Sequence, residues 1–205
     1  MKKLIILVVI LVTQIITNQT KAMSNADNLD TITLGGGCFW CTEAVFQQMK
    51  GVISVVSGYC GGEISHPTYK EVSSGLTGHA EVIQLVYDKS VIGLEQILEV
   101  FFKTHNPTTL NRQGADLGTQ YRSAIFYHTA VQQQIAEKVK LHLNEANIWK
   151  DSIITEITPF KTFYKAEDYH QNYFNNNPNQ AYCQFVIVPK LEKFNQLFEE
   201  FKKEN

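Results

Sequence analysis

Gly35-Gly36-Gly37-Cys38-Phe39-Trp40-Cys41 is the stretch on which the reading of this chain turns. A short β-prone run, Thr31 to Leu34, leads into the three glycines. After the second cysteine, Thr42 to Met49 carries apolar side chains at helical spacing, among them Ala44, Val45 and Met49. The pattern predicts a strand, a glycine turn, and a helix over Cys38 to Met49 with Cys38 in its first turn. Glycine permits a sharp turn and lets a ligand come close to the backbone. The N–H groups and positive dipole end of a helix favour a thiolate, so the expectation is a Cys38 of lowered pKa.

The composition narrows the classes. The chain has 205 residues, 44% hydrophobic and 19% charged, enough apolar material for a substantial core without disulfide staples. Four cysteines at irregular spacings do not form a disulfide framework. The net charge is −2 and there is no polybasic run, which argues against nucleic acid as a partner. At the N-terminus, Lys2 and Lys3 precede the apolar run Leu4 to Val12, and Thr20-Lys21-Ala22 offers a cleavage point. This reads as a signal peptide over 1–22, a polar linker over 23–30, and one domain over 31–205. An uncleaved N-terminal anchor and a true start at Met23, giving a cytoplasmic protein, are the competing readings. Removal of 1–22 leaves 15 basic and 20 acidic residues, net −5, which does not favour stable binding to anionic membranes. The expectation is an exported protein, periplasmic in a Gram-negative cell.

Outward from the opening stretch, Gly51 ends the first helix and Val52 to Val56 reads as a strand. Gly58 to Tyr69 reads as a long loop, Ala80 to Tyr87 as a strand, Leu94 to Phe102 as a helix, and His105 to Gln120 as a second long loop. Arg122 to Tyr127 (strand), Ala130 to Ala146 (helix) and Ile153 to Thr158 (strand) follow. Ala166 to Phe174 reads as a short helix, Asn175 to Gln180 as a turn, Phe185 to Val188 as a last extended piece, and Pro189 to Lys203 as a final helix. Two successive βαβ units without a parallel-sheet fingerprint predict an α+β fold: a two-layer α/β sandwich with a ferredoxin-like split βαβ core and a C-terminal tail ending in a helix.

Several residues carry possible chemistry. Cys38 follows three glycines and opens a helix, which sets it apart from a cysteine that merely packs. With Cys41 it makes a C-x-x-C, the spacing of a redox dithiol or of half a zinc site. Cys60 and Cys183 stand alone and supply no second half. Phe39 and Trp40 are adjacent on a helix and point different ways, so both do not easily face one core, and at the mouth of a site they would make an apolar pocket beside the thiol. Glu81 interrupts an apolar strand. A carboxyl group in an apolar site has a raised pKa and can donate a proton. Tyr69 and Tyr121 lie at loop edges, where a phenol can pack or donate to an oxyanion. Asp116, between Gly114 and Gly118, can be a turn-former. His79, His105 and His170 have no metal-ligand spacing among themselves.

These residues carry a family resemblance. Gly37-Cys38-Phe39-Trp40 resembles the signature of peptide methionine sulfoxide reductase A. Pro67-Thr68-Tyr69, Gly78-His79-Ala80-Glu81, Gly114 to Ser123 and Tyr164 to Gln171 are similar to its further motifs, in the family's order, over about Thr31 to Val188. The resemblance implies reduction of methionine S-sulfoxide, free and in proteins, with no metal or organic cofactor. It implies Cys38 as nucleophile, Glu81 as proton donor, and Tyr69 and Tyr121 as donors to the sulfoxide oxygen. Phe39 and Trp40 would cage the S-methyl group, and Asp116 would hold the substrate backbone. Cys38 would pass through a sulfenic acid, reduced by a second thiol and then by thioredoxin or a similar thiol reductant. Cys183 matches a tail cysteine and is the favoured resolving thiol, with Cys41 its rival through proximity. Two other classes compete: a general thiol-disulfide oxidoreductase using Cys38 and Cys41, and a non-catalytic module that binds methionine-rich segments.

Overall fold

The computed structural model describes residues 28–204. The segment read as a signal peptide, and the linker up to 27, lie outside them. The first strand, β1 (Leu29–Gly36), begins two residues inside the expected linker, and Leu29 and Asp30 already pair with Asp88 and Tyr87. It is followed by α1 (Phe39–Gln47), β2 (Val52–Cys60), α2 (Tyr69–Ser73), β3 (Ala80–Asp88) and α3 (Leu94–Thr104). A two-residue pair, β4 (Arg112–Gln113) and β5 (Asp116–Leu117), then precedes β6 (Ser123–Tyr127), α4 (Ala130–Glu145), β7 (Glu156–Pro159) and β8 (Phe163–Lys165). The chain closes with α5 (Tyr173–Asn176) and α6 (Val188–Leu197).

Six strands form one sheet in the order β7-β6-β1-β3-β2-β8. Its centre is the expected split βαβ: β1-α1-β2 and β3-α3-β6 interleave as β6-β1-β3-β2, all antiparallel. Helix α4 carries the chain from β6 to β7, its parallel neighbour, and β8 adds an antiparallel strand at the opposite edge.

Strand alternation assigns the two faces. Ile32 and Leu34 of β1 and Ile83, Leu85 and Tyr87 of β3 turn to the helix side, where they meet Phe46 of α1 and Ile97, Leu98 and Phe101 of α3. Each such side chain, fully buried, contributes about 1.5–3 kcal/mol. The alternate residues, Cys60, Ala80, Val82, Ala124 and Phe126, make a smaller cluster on the other side, with Phe160 and Phe163 packed against it. Glu81 shares the parity of Ile83 and Leu85. A carboxyl group therefore enters the principal core beside α1.

The tail differs from the extended piece expected at Phe185 to Val188. Cys183–Ile187 forms a π turn that runs directly into α6. The β-branched run is overridden because this turn buries Ile187, and α6 buries Leu191 and Phe194 against the core. Pro189 is tolerated because it falls in the first turn of α6, where its missing N–H is not needed. The helix expected to reach Lys203 stops at Leu197 and is followed by a 3-10 turn, Glu199–Phe201. Ala166 to Phe174 is not one helix either. Asp168–His170 is a 3-10 turn, Asn172 adopts a left-handed φ of 53°, and α5 starts afresh. The side chain of Gln171 causes the break. It accepts from Ser57 N (3.0 Å) and donates to Ser57 O (3.0 Å), which ties the segment to β2 as a strand would be tied.

Candidate active site

Gly37 makes the turn from β1 into α1. Its φ is 93°, and a Cβ there would lie 2.6 Å from Gln113 Cβ. Gly37→Ala is expected to cost about 1–3 kcal/mol, from left-handed strain and this clash, measurable by urea unfolding. Cys38 follows as the N-cap of α1, 7% exposed.

The expected lowering of the Cys38 pKa is not found. Burial pushes this thiol well up, and Cys41 and Glu81 push it further. The helix start does not offset this. The N–H of Phe39, the first in the helix, does not serve the sulfur but donates to Glu81 Oε2 at 3.1 Å. At rest, Cys38 keeps its proton.

Glu81 stands opposite Tyr59 in the β2–β3 ladder and is 1% exposed. Burial raises its pKa to about 8, against the Phe39 N–H bond, which lowers it. Its carboxyl is therefore largely protonated at neutral pH and sits next to the thiol, poised as an acid.

Tyr69 opens α2 and Tyr121 closes a 3-10 turn, Thr119–Tyr121. Burial raises both, Tyr69 to about 12, and Glu81 and Cys38 add to the rise in each, so both phenols border the thiol and the carboxyl as neutral donors. Phe39 is buried. Trp40 is half-buried and stacks on Tyr173, ring centroids 3.6 Å apart and planes 5° from parallel. Asp116, on β5, accepts the Tyr182 hydroxyl at 2.7 Å.

Cys41 lies one turn along α1, its backbone N–H donating to Cys38 O at 3.1 Å, and the two thiols are close enough to shift each other's ionisation. The Cys38 thiol holds the Cys41 pKa down against burial, and Lys190 adds to the lowering. The Tyr182 hydroxyl lies 3.8 Å from Cys41 Sγ. Cys38, Cys41, Asp116, Tyr182, Val186 and Lys190 line a cavity of ≈ 200 Å³. Cys183 is buried in the π turn, outside that cavity's lining, with its thiol raised by burial and by Cys41. Cys60 belongs to the opposite face, beside a larger cleft of ≈ 400 Å³ that includes Arg122 and Phe126 but none of the groups around Cys38.

Sequence reading missed four residues that hold this arrangement. Tyr182 bridges Asp116 and Cys41. Glu167 accepts from Tyr59 Oη (2.8 Å) and from Tyr69 N (2.9 Å), and so anchors the Tyr69 loop. Gln171 ties its segment to β2, and His170 contacts Trp40. The motif Tyr164 to Gln171 was visible in the sequence. What each member grips was not, because the partners lie about a hundred residues away.

The comparisons agree with this geometry. The family model for peptide methionine sulfoxide reductase matches residues 30–202. The chain belongs to that family. A curated relative from Natronomonas pharaonis, peptide methionine sulfoxide reductase MsrA, is 54% identical over 170 residues, 83% of this chain and 96% of the relative. Among solved structures, reduced Mxr1 from Saccharomyces cerevisiae is 38% identical, with a TM-score of 0.70 over 77% of this chain and 90% of that one. A structure of Mxr1 in complex with Trx2 is also similar, at 29% identity and a TM-score of 0.50, covering 72% of this chain and 86% of that one. The reductase reduces methionine sulfoxide to methionine.

Proposed function

We propose that Cys38 is the nucleophile and Glu81 the acid of a methionine S-sulfoxide reductase acting on free and protein-bound substrate. The observation that carries this reading is the Glu81 carboxyl, buried in the core face, protonated at neutral pH, and joined through the Phe39 N–H to the residue after Cys38. A sulfoxide oxygen leaves poorly until it is protonated. Glu81 gives it a proton as the Cys38 sulfur bonds to the substrate sulfur, with Tyr69 and Tyr121 as neighbouring donors. The S–O bond and the new S–S bond then break as the hydroxyl passes to the Cys38 sulfur, and the proton lost by the Cys38 thiol returns to Glu81, leaving methionine and a Cys38 sulfenic acid. Phe39 and Trp40 cage the S-methyl group. Asp116 holds the substrate backbone once Tyr182 releases it.

A second thiol then attacks the sulfenic acid, expels its oxygen as water, and leaves a disulfide for thioredoxin or a similar reductant. The sequence favours Cys183 for this step. What supports Cys41 is its place one turn from Cys38 in the same cavity and its easier ionisation beside Cys38 and Lys190. We therefore propose Cys41 as first resolving thiol, with Cys183 reached only if the π turn moves. Thioredoxin as reductant is supported by the complex of the related Mxr1 with Trx2. Cys41→Ser should keep methionine formation with dithiothreitol and lose it with thioredoxin. If Cys183→Ser alone behaves this way, the order is reversed. S- and R-sulfoxide supplied separately check the epimer: turnover of the R form alone would refute the assignment.

The thiol-disulfide oxidoreductase reading draws on the same Cys38–Cys41 contact. It requires Cys41 and makes no use of Glu81, so insulin reduction that survives Glu81→Gln would favour it. We also propose export through cleavage of residues 1–22. An N-terminal sequence of the processed protein beginning near Met23 supports this, and an unprocessed chain refutes it.

A further inference from the structure

The motif residue His170 has no part in the chemistry above, yet it is 1% exposed in the middle of the site. Its ring centroid lies 4.4 Å from that of Tyr69, 5.0 Å from Phe39 and 5.5 Å from Trp40. One polar contact is directional: Trp40 Nε1 donates to His170 Nδ1 at 3.1 Å. An indole N–H can only donate, so Nδ1 must accept, and the imidazole is neutral with its hydrogen on Nε2. Among the described residues that Nε2 is buried and without a hydrogen-bond partner, with Glu167 Oε2 out of range at 3.9 Å. A buried N–H without a partner is destabilising, and an apolar ring of similar size would avoid the cost. The chain keeps a group here whose one satisfied polar atom serves Trp40.

The rest of the surroundings restrain Trp40 without fixing its rotation about the ring normal. Tyr173 covers one face, a contact that slides freely in plane. Tyr182 meets Trp40 edge-on at 5.8 Å and 79°. Among the described residues, only the bond to His170 specifies where the indole N–H points, and hence which edge of the ring remains for a ligand. His170 is itself held from both sides. Its N–H donates to Glu167 O at 2.9 Å, and the neighbouring Gln171 is tied to β2. This is an imidazole set on the sheet and aimed at an indole.

We infer that His170 is a positioning residue for the reductase, a neutral acceptor that locks the Trp40 indole in the orientation that forms the S-methyl cage. The inference rests on the reading of Trp40 as part of that cage. It predicts a loss in substrate binding without a loss of fold.

The test uses the full chain with Trp149→Phe, which leaves Trp40 as the only tryptophan, and compares His170→Phe with His170→Asn. In His170→Phe, KM for methionine sulfoxide should rise roughly five- to tenfold, the size of one net hydrogen bond, with kcat held within about twofold. Its Trp40 emission should shift to the blue as the indole loses its acceptor, and its melting temperature should not fall. His170→Asn, whose side-chain carbonyl can accept near the Nδ1 position, should restore both KM and emission. In a Trp40→Phe background, which has no indole N–H, neither His170 change should alter KM further. Unchanged KM and emission in His170→Phe, an equal kcat loss in both variants, or additive losses in the Trp40→Phe background would overturn the inference. If His170→Phe does not fold, it is overturned too, since the residue would then be structural. A parent protein without reductase activity would refute the proposed function instead, and the emission comparison would still decide the orientation of Trp40.

Discussion

Cys38→Ser is expected to abolish methionine formation with every reductant, dithiothreitol and thioredoxin alike. The loss should be on the order of 10⁴-fold or more, as for removal of a nucleophile from a site whose other groups act only through it. A serine hydroxyl has nearly the thiol's shape, so the fold and the N-cap position should survive, and far-UV circular dichroism should match the wild type. The result separates Cys38 from the other three cysteines: Cys41→Ser, Cys60→Ser and Cys183→Ser should all retain turnover with dithiothreitol. Appreciable activity in Cys38→Ser would remove the covalent mechanism altogether.

Glu81→Gln is expected to lower kcat/KM by roughly 10²–10⁴-fold, the usual contribution of a positioned acid. Glutamine keeps the carbonyl that accepts the Phe39 N–H, so the start of α1 should remain in place and the loss should report the missing proton. In the proposed mechanism the acid form of Glu81 is the active one. With its pKa raised to about 8, wild-type kcat/KM should hold below that pH and fall as pH rises through it, while the residual rate of Glu81→Gln should lack that limb. Stability should fall with pH as well, over a lower window. Between its ordinary value of 4.5 and about 8, Glu81 keeps its proton in the folded chain and loses it in the unfolded one. Folding stability of the wild type should therefore decline with pH across that window and level off above it. Glu81→Gln, neutral throughout, should escape the decline and melt higher than wild type at pH 7–8. A variant both inactive and less stable at that pH would mean that Glu81 serves packing and not proton transfer.

The two groups differ in how they could be read from the chain. Cys38 stood out in the sequence because three glycines, a cysteine and a helical period are all local signals. Glu81 stood out as a carboxylate in an apolar strand, and once that strand's parity was set, its place in the helix-side core followed. Local signals failed where the cause was remote. The helix start suggested an acidified thiol, but the thiol is buried and the first N–H of α1 is taken by a carboxyl group 42 residues away. Ala166 to Phe174 looked helical, but Gln171 holds the β2 backbone. Phe185 to Val188 looked extended, but burial of Ile187, Leu191 and Phe194 draws it into a helix. The β4–β5 pair and β8 were too short to show a period.

The sequence by itself determined the strand–glycine–helix entry to the site, the split βαβ order, the family, and the kinds of residue available for chemistry. Those follow from periodicity, glycine geometry and motifs, which depend on neighbours a few residues apart. The tertiary structure decided the protonation states of Cys38 and Glu81, the pairing of Cys41 with Cys38, and the orientation of Trp40 by His170. Protonation and orientation depend on burial and on partners from distant strands, and a chain has neither until it is folded.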